Sequence, residues 1–542
     1  MLRRILSFYK TSQPSAQQVP AEKVDGYYKK LRMQAFIAGT IGYSLYYVCR
    51  LSFSVMKDPI VKSGMLNEVQ LGIIAACLYW AYAAGKFVNG FLADHSNIKK
   101  FMATGLIVSA VANFTMGILG FGASAGLTSS VIFVMFAIVW GINGWVQSMG
   151  APPAIIGLSR WYPLNVRGTF YGFFSASHNI GEGLSFIFVS LIVSLAGWQW
   201  GFFGAALAGV IGVIVVVMWL HDTPESKGLP SIEEYAGEKT EGNNEESVSK
   251  AEASRIQRAV LRYPGVWILA LASAFMYMSR YAINEWGMFF LQNEKGFAIE
   301  AAGLIIGINT VAGIAGTVFS GWLSDKVFKG DRKYPALVAG ILESVALVLF
   351  LYGGNSWFIN ILAMVLFGIA IGVLICFIGG LMAVDLVPRK ATGAALGIVG
   401  LASYVAAGLM NVISGSLIDG KATWVPVTDP ATAEISADNT QTAPTDENVM
   451  EFSDAEALVA ENKSVDETEP VVAEPTEAET ATEAETATEA ETATETKTEK
   501  KADEPKFKKV YDFSYVSIFW IASAVIAFLL PILNWKRKKM EI

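Results

Sequence analysis

Long runs of apolar residues recur along the chain and alternate with short polar stretches. A helix rises about 1.5 Å per residue, so a run of about 20 apolar residues crosses the roughly 30 Å hydrocarbon layer of a bilayer. The pattern predicts twelve such spans, at residues 34–55, 70–93, 101–122, 128–151, 168–195, 200–220, 265–292, 300–324, 335–354, 356–385, 391–418 and 513–535. We therefore predict an all-α membrane protein.

The composition agrees with this class and argues against an enzyme. Of the 542 residues, 53% are hydrophobic and 16% are charged, whereas about a quarter of residues are charged in soluble proteins. No glycine-rich nucleotide-binding loop is present. The cysteines Cys49, Cys77 and Cys376 lie inside apolar runs without paired spacing, so we expect no disulfide, metal or other cofactor. The first thirty residues lack the pattern of a removable signal peptide.

Basic residues are concentrated in alternate loops. The loops on the side of both termini hold nearly all of the loop cations, including Lys99, Lys100, Arg160, Arg167, Lys326, Arg332, Lys333, Arg389 and Lys390. The short loops of the other side hold Lys57, Lys62 and Lys295. Because cytoplasmic loops carry the excess of Lys and Arg, both termini are predicted to be cytoplasmic.

Composition shifts divide the chain into segments. We predict a cytoplasmic N-terminal segment (1–33) and two six-helix halves (34–220 and 265–535), which are joined by a cytoplasmic linker (221–264). An insert (421–509) interrupts the second half, and a basic cytoplasmic tail (536–542) ends the chain. The insert has 23 acidic and 8 basic residues and repeats EAETAT. Its low hydrophobicity predicts a disordered spacer outside the cell. Binding of cations or of a partner there stays an open alternative.

The two predicted halves resemble one another. Tyr47 and Arg50 in the first span have the same spacing as Tyr277 and Arg280 in the seventh. The ends of the second and eighth spans also match, in the series Gly85, Gly90, Leu92 and Asp94 and the series Gly316, Gly321, Leu323 and Asp325. Two six-span repeats with a binding site near the membrane midplane are typical of secondary transporters.

Three cations, Arg50, Lys86 and Arg280, fall inside predicted spans. An ionisable group there normally faces the interior of the bundle or an aqueous path, because burying it in lipid is costly. Three cations without three matching anions favour an anionic ligand. The planar guanidinium fork suits a phosphate, which carries about −1.5 to −2 charges at pH 7.

Two of these cations also have a structural explanation. Lys86 could extend toward the interface or pair with Asp94, two turns further along its helix. Arg280 could pair with Glu285, although five residues separate the two side chains by about 140° around a helix.

Other ionisable groups in the spans allow more than one interpretation. His178 and Glu182 are four residues apart and share a helix face. They could form a simple hydrogen-bonded pair, or a coupling switch that responds to protons or phosphate, since His titrates near physiological pH. Glu343 and Asp385 are interpreted as structural or interfacial.

Several motifs resemble those of the major facilitator superfamily and, within it, the organophosphate:phosphate antiporter family. The motifs are GYSLYYVCR at 42–50, GKFVNGFLADHSNIKKF at 85–101, MGAPP at 149–153, HNIG at 178–181, DTPESKGLPSIEEY at 222–235, YMSRYAINEW at 277–286 and GWLSDKVFKGDR at 321–332. The resemblance implies a two-half helical fold in a bacterial inner membrane. It also implies a monomer that exchanges an organophosphate for inorganic phosphate and binds no nucleic acid.

The same resemblance implies roles for individual residues. Arg50 and Arg280 would hold the phosphate group, and the side chains near the same cavity would be Lys86, His178, Tyr43, Tyr47 and Tyr277. Asp94 and Asp325 belong to the loop motifs that accompany conformational change in this family.

The sequence also departs from the family's pattern. Leu51 stands where a basic residue often follows the first arginine. The glutamate often found in span 8 is replaced around Asn309 and Thr310, while Glu182 stands where glycine is usual. The positions associated with hexose phosphate specificity are the apolar Leu396 and Val399. These departures favour a smaller substrate, such as glycerol 3-phosphate or a phosphoglycerate.

Two other functions remain open from the sequence. One is a membrane sensor of sugar phosphates that signals to a partner without transport, since the family includes such receptors. The other is a proton-coupled carrier of a different anion. A transport assay separates these alternatives.

Overall fold

The computed structural model describes residues 7–122, 124–237, 255, 258–328, 331–388, 391–426, 507–536 and 540. The chain divides into two compact units, Met1–Thr423 with Val510–Ile542, and Trp424–Lys509. Most of the acidic insert and the middle of the predicted linker lie outside the described residues.

The first six spans form the N-terminal half. Span 1 is the helix Ala21–Lys62, span 2 is Glu68–Asp94 and span 3 is Ile98–Leu119. Span 4 consists of Ser129–Gln147 and Ala151–Trp161. Span 5 runs through Leu164–Leu184, the π-helical turn Ser185–Val189 and the helix Ser190–Ala196, and span 6 is Trp198–Trp219. A short 3₁₀ turn, Glu225–Lys227, and the helix Ile232–Ala236 follow.

The last six spans form the C-terminal half. Span 7 is Pro264–Asn293, span 8 is Ile299–Trp322 with the π-helical turn Leu323–Val327, and span 9 is Lys333–Tyr352. Span 10 consists of Trp357–Cys376, the π-helical turn Phe377–Leu381 and Met382–Leu386, and span 11 is Thr392–Gly420. Span 12 is Ser514–Leu529, continued by the 3₁₀ turn Leu530–Asn534. Strands β1 (Thr423–Pro426) and β2 (Phe507–Val510) pair with each other.

Helices occupy all twelve predicted positions. Within the described residues, eleven of them are long and apolar enough to cross a membrane. The exception is span 1, which is longer than required but carries Arg50, Lys57 and Asp58. These three side chains are buried among the other helices, which explains how so polar a helix is accommodated. The prediction of an all-α membrane protein is confirmed.

The two halves approach each other closely at the end of the bundle opposite the termini. A Cβ atom on Gly72 of span 2 would lie 2.4 Å from the carbonyl oxygen of Asn411 in span 11. Likewise, a Cβ on Gly303 of span 8 would lie 2.4 Å from Ser190 Oγ in span 5. Only glycine permits such close approach of helix backbones. We call this end the closed end.

The same helices are more loosely packed at the end that carries the termini. A Cβ atom on Gly172 of span 5, or on Gly393 or Gly397 of span 11, would meet no described atom within 4 Å. Span 2 therefore packs tightly against span 11, and span 5 against span 8, at the closed end. The same spans are less tightly packed toward the end that carries the termini.

A short N-terminal segment and the linker pack against the N-terminal half. Asp222 is buried directly after span 6. Its Oδ1 accepts hydrogen bonds from the Ile98 amide at 3.0 Å and from Arg160 at 2.6 Å, and its Oδ2 accepts one from the Ser12 amide at 2.7 Å. This carboxylate therefore caps span 3 and joins the segment before span 1 to the bundle.

Candidate functional site

Arg50 lies in the middle of span 1 and is 2% exposed. Its guanidinium carbon lies 4.1 Å from the ring centroid of Tyr82, and the rings of Tyr47, Tyr79 and Tyr404 lie 5.4, 5.6 and 5.7 Å away. Arg50 forms no ion pair with a described acid. Its Nε and Nη2 are buried and donate no hydrogen bond. A buried donor without an acceptor is costly, so this arginine is suited to an anionic ligand.

Arg50 and the tyrosine rings packed around it form one group of side chains, which we call the aromatic cluster. Lys86 on span 2 belongs to it. Its Nζ lies 5.2 Å from the ring centroid of Tyr404, which also faces Arg50. A Cβ atom on Gly400 of span 11 would lie 3.6 Å from this Nζ. Lys86 forms no ion pair with Asp94, which is exposed. The pairing considered from the sequence is therefore not formed, and Lys86 faces span 11 across the interface between the halves.

Arg280 does have an acidic partner. Its Nη2 donates to Glu182 Oε1 at 2.6 Å, and the two side chains are 6% and 3% exposed. The idea that the three cations inside the spans lack matching anions was therefore wrong for Arg280. The pairing with Glu285 is not formed either, as the helical rotation between the two indicated. A carboxylate on span 5 instead neutralises an arginine on span 7.

His178 contacts a tyrosine of span 1. Its ring centroid lies 6.0 Å from that of Tyr47, while Glu182 pairs with Arg280. Of the two alternatives considered for His178 and Glu182, the simple hydrogen-bonded pair is not formed between the two side chains, both of which the structure describes, and the coupling switch stays a prediction. The π-helical turn of span 5 begins at Ser185, directly after this region. Such turns often occur at functional sites.

The remaining tyrosines predicted near the cavity belong to the same aromatic cluster. Tyr43 packs edge-on against Tyr47, with ring centroids 5.4 Å apart. Tyr277 lies 5.4 Å from Tyr404 and 5.7 Å from Tyr281, the ring that neighbours Arg280. All seven predicted site residues therefore lie in or beside one cluster that draws on both halves.

A second ion pair joins the halves nearer the closed end. Lys57 Nζ lies 2.8 Å from Glu285 Oε2, with side-chain exposures of 0% and 5%. Tyr79 donates to the other oxygen of Glu285, and Lys57 also donates to Asn411 Oδ1 at 3.2 Å. The ammonium group lies 4.2 Å from the ring centroid of Trp286. Lys57 was expected in a loop, but four spans of the two halves enclose it.

The other ionisable groups singled out from the sequence lie outside the aromatic cluster. Glu343 is fully buried and accepts a hydrogen bond from Ser279 at 2.6 Å. Asp385 pairs with Arg332 at the end of the bundle that carries the termini. The backbone of Asp325 lies in the π-helical turn of span 8, but its side chain lies outside the described part of the structure.

Four tyrosines of the cluster were not among the site residues predicted from the sequence, namely Tyr79, Tyr82, Tyr281 and Tyr404. A signal existed for two of them. Tyr79 and Tyr82 precede Lys86 by seven and four residues, so they share its helix face. Tyr404 has no comparable signal, because its closeness to Arg50 depends on how span 11 packs against the other half.

The charges of the cluster can be counted directly. Glu182 neutralises Arg280, and Glu285 neutralises Lys57. Arg50 and Lys86 have no acidic partner among the described residues, so two positive charges remain. No group of three or more acidic, His or Cys side chains that could hold a metal occurs in the described part of the chain. The two unpaired positive charges of Arg50 and Lys86 are suited to binding a small anion with two negative charges.

Comparisons with known proteins agree with the architecture. The model of the Major Facilitator Superfamily matches residues 39–411. The chain is 34% identical to the glycerol-3-phosphate transporter of Bacillus subtilis, with 77% of this chain and 92% of that protein covered. It is 30% identical to the membrane sensor protein UhpC of Salmonella typhimurium, with 75% and 89% covered.

A solved structure shows the same fold. The chain aligns with a bacterial homolog of the human lysosomal transporter Spinster at a TM-score of 0.57 and 17% identity, covering 72% of this chain and 83% of that one. The fold, the family match and the extent of the sequence similarity lead to one conclusion. The chain belongs to the major facilitator superfamily and, within it, to the organophosphate:phosphate antiporter family.

Proposed function

We propose that this protein carries a small organophosphate across the membrane in exchange for inorganic phosphate. The observation that carries the proposal is Arg50, a buried guanidinium whose Nε and Nη2 donate to no acceptor. The similarity to a glycerol-3-phosphate transporter supports the same substrate class. Arg50 and Lys86 bind the phosphate group, and the surrounding tyrosines supply further donors.

The charge of the site supports a phosphate monoester as the ligand. Arg50 and Lys86 together carry two positive charges, and a phosphate monoester approaches two negative charges at pH 7. Arg280 contributes through the N–H groups of its guanidinium that do not bond to Glu182. Arg has five donors in a planar fork, so one group can bond to a carboxylate and a phosphate together.

Exchange of one anion for another follows from the cost of burying positive side chains that have no counter-charge. Without a ligand, closing the cavity would bury Arg50 and Lys86 with no counter-charge, which is strongly unfavourable. A bound dianion removes that cost. The halves therefore change between their two states only with a ligand in place, which couples entry of one anion to exit of another.

The loose packing of spans 2, 5, 8 and 11 near the termini supports entry of the ligand from that end in this state. The cluster is closed off at the end opposite the termini by the pair of Lys57 and Glu285. With both termini in the cytoplasm, as the basic loops predict, the site is open to the cytoplasm. Release on the other side requires this ion pair and its hydrogen bonds to separate. The acidic insert then faces outward, and a monomer suffices for transport.

The alternative is a sensor that binds an organophosphate and signals to a partner without transport. The similarity to a membrane sensor protein supports this second function. Both functions require the same anion site, so the site alone does not distinguish them. Flux of labelled ligand does.

Counterflow into proteoliposomes tests the proposal. Vesicles loaded with inorganic phosphate should take up labelled glycerol 3-phosphate, while vesicles loaded with chloride should not. Binding of the ester without uptake would support the sensor. Neither binding nor uptake for a panel of phosphate esters would refute both functions.

A further inference from the structure

We infer that Glu182 sets the charge of ligand that the site accepts, and that it selects dianionic phosphate esters over those with an additional carboxylate. The inference rests on the proposed function and identifies a specificity determinant within it. It begins from the ion pair of Glu182 and Arg280, which is almost completely buried.

The effect of Glu182 is to remove one positive charge from the cavity. Arg50, Lys86 and Arg280 are the cations of the aromatic cluster, and Glu182 is the acid that pairs with one of them. Two unpaired cations balance a dianion. A trianion would leave one excess negative charge, in a low-dielectric site that already holds a carboxylate.

The neighbouring groups do not alter this balance. His178 from the same helix is the other titratable group near Glu182, and at about pH 8 an ordinary imidazole is neutral. Lys57 and Glu285 neutralise one another. Glu343 is fully enclosed beside Ser279.

Glycerol 3-phosphate and 3-phosphoglycerate provide a matched pair of probes. Both have three carbons and one phosphate, but the second also carries a carboxylate. At about pH 8 the phosphate of each is doubly ionised, so their charges differ by one. A difference in affinity between them reports mainly on charge and not on size.

The experiment measures how strongly each probe competes with labelled phosphate for binding and for uptake, in the wild type and in Glu182→Gln. We expect the wild type to prefer glycerol 3-phosphate. Glu182→Gln releases the full charge of Arg280 and should shift the ratio of inhibition constants by about tenfold toward 3-phosphoglycerate. Glu182→Asp keeps the charge and should keep the wild-type ratio.

Glu343→Gln serves as a control, because it replaces a buried carboxyl group outside the cluster. It should leave the ratio unchanged. An unchanged ratio in folded Glu182→Gln would overturn the inference, and so would a shifted ratio in Glu182→Asp if Glu182→Gln does not fold. If the wild type binds neither ester, the proposed function itself fails.

Discussion

Arg280 of span 7 donates a hydrogen bond to Glu182 of span 5 at 2.6 Å, so this buried ion pair links the two halves of the protein. The family pattern places a glutamate in span 8, in the same half as the arginine. Here the acid lies in the opposite half. Any motion that separates spans 5 and 7 must therefore break this bond, and a ligand that attracts Arg280 weakens it.

We predict that Glu182→Ala destabilises the protein by about 3–5 kcal/mol, because it leaves Arg280 buried without a counter-charge. Phosphate can supply the missing negative charge. Added phosphate should therefore raise the thermal unfolding midpoint of Glu182→Ala more than that of the wild type. An equal increase for both proteins would show that phosphate does not reach Arg280.

The second buried ion pair gives a separate prediction. Replacing either Lys57 or Glu285 alone with Met should cost about 3–5 kcal/mol, since the remaining charge stays buried. Replacing both should recover part of that loss, because no buried charge is left unpaired, although Tyr79 and Asn411 each lose a hydrogen-bond partner. Thermal unfolding of the two single variants and the double variant measures this coupling. Additive losses in the double variant would contradict it.

Part of this picture could be predicted from the sequence, for physical reasons. Runs of about 20 apolar residues identify spans because the bilayer fixes their length. The matching positions of Arg50 and Arg280 identified the repeated halves. The partner of Arg280 could not be predicted, since Glu182 lies 98 residues away and the pairing depends on contact between halves. Lys57 was taken for a loop residue because the apolar run of span 1 ends near residue 55, whereas the helix itself continues to Lys62.

The contacts of Asp222 predict a role in holding the N-terminal segment. Asp222→Asn removes the ion pair with Arg160 and weakens the bonds to the Ser12 and Ile98 amides, at a cost of about 1–3 kcal/mol. We expect faster amide hydrogen exchange in residues 12–19 and at the start of span 3. Asp25→Asn, at an exposed position, is the control. Unchanged exchange in Asp222→Asn would mean that other contacts hold this segment.

His221, just beyond span 6, predicts a pH dependence of stability. Burial lowers its pKa from 6.5 to about 4, helped by the positive charges of Lys227 and Lys99. Between these values the unfolded chain binds a proton that the folded protein does not, so stability falls as pH decreases from 6.5 to 4. His221→Gln should reduce the fall of the unfolding midpoint over this range. The exposed His95 is the matched control, and identical pH profiles for wild type and His221→Gln would refute the role.

The proposed function depends on Arg50 as the unpaired guanidinium that binds the phosphate group. Equilibrium binding of inorganic phosphate to purified wild type, Arg50→Lys and Arg160→Lys tests it most directly. Arg160 pairs with Asp222 outside the cluster, so its replacement controls for the general effect of losing a guanidinium. We predict that Arg50→Lys loses phosphate binding by at least about tenfold, because a point charge does not replace the planar fork, while Arg160→Lys binds like the wild type. Wild-type affinity in a folded Arg50→Lys protein would contradict the account.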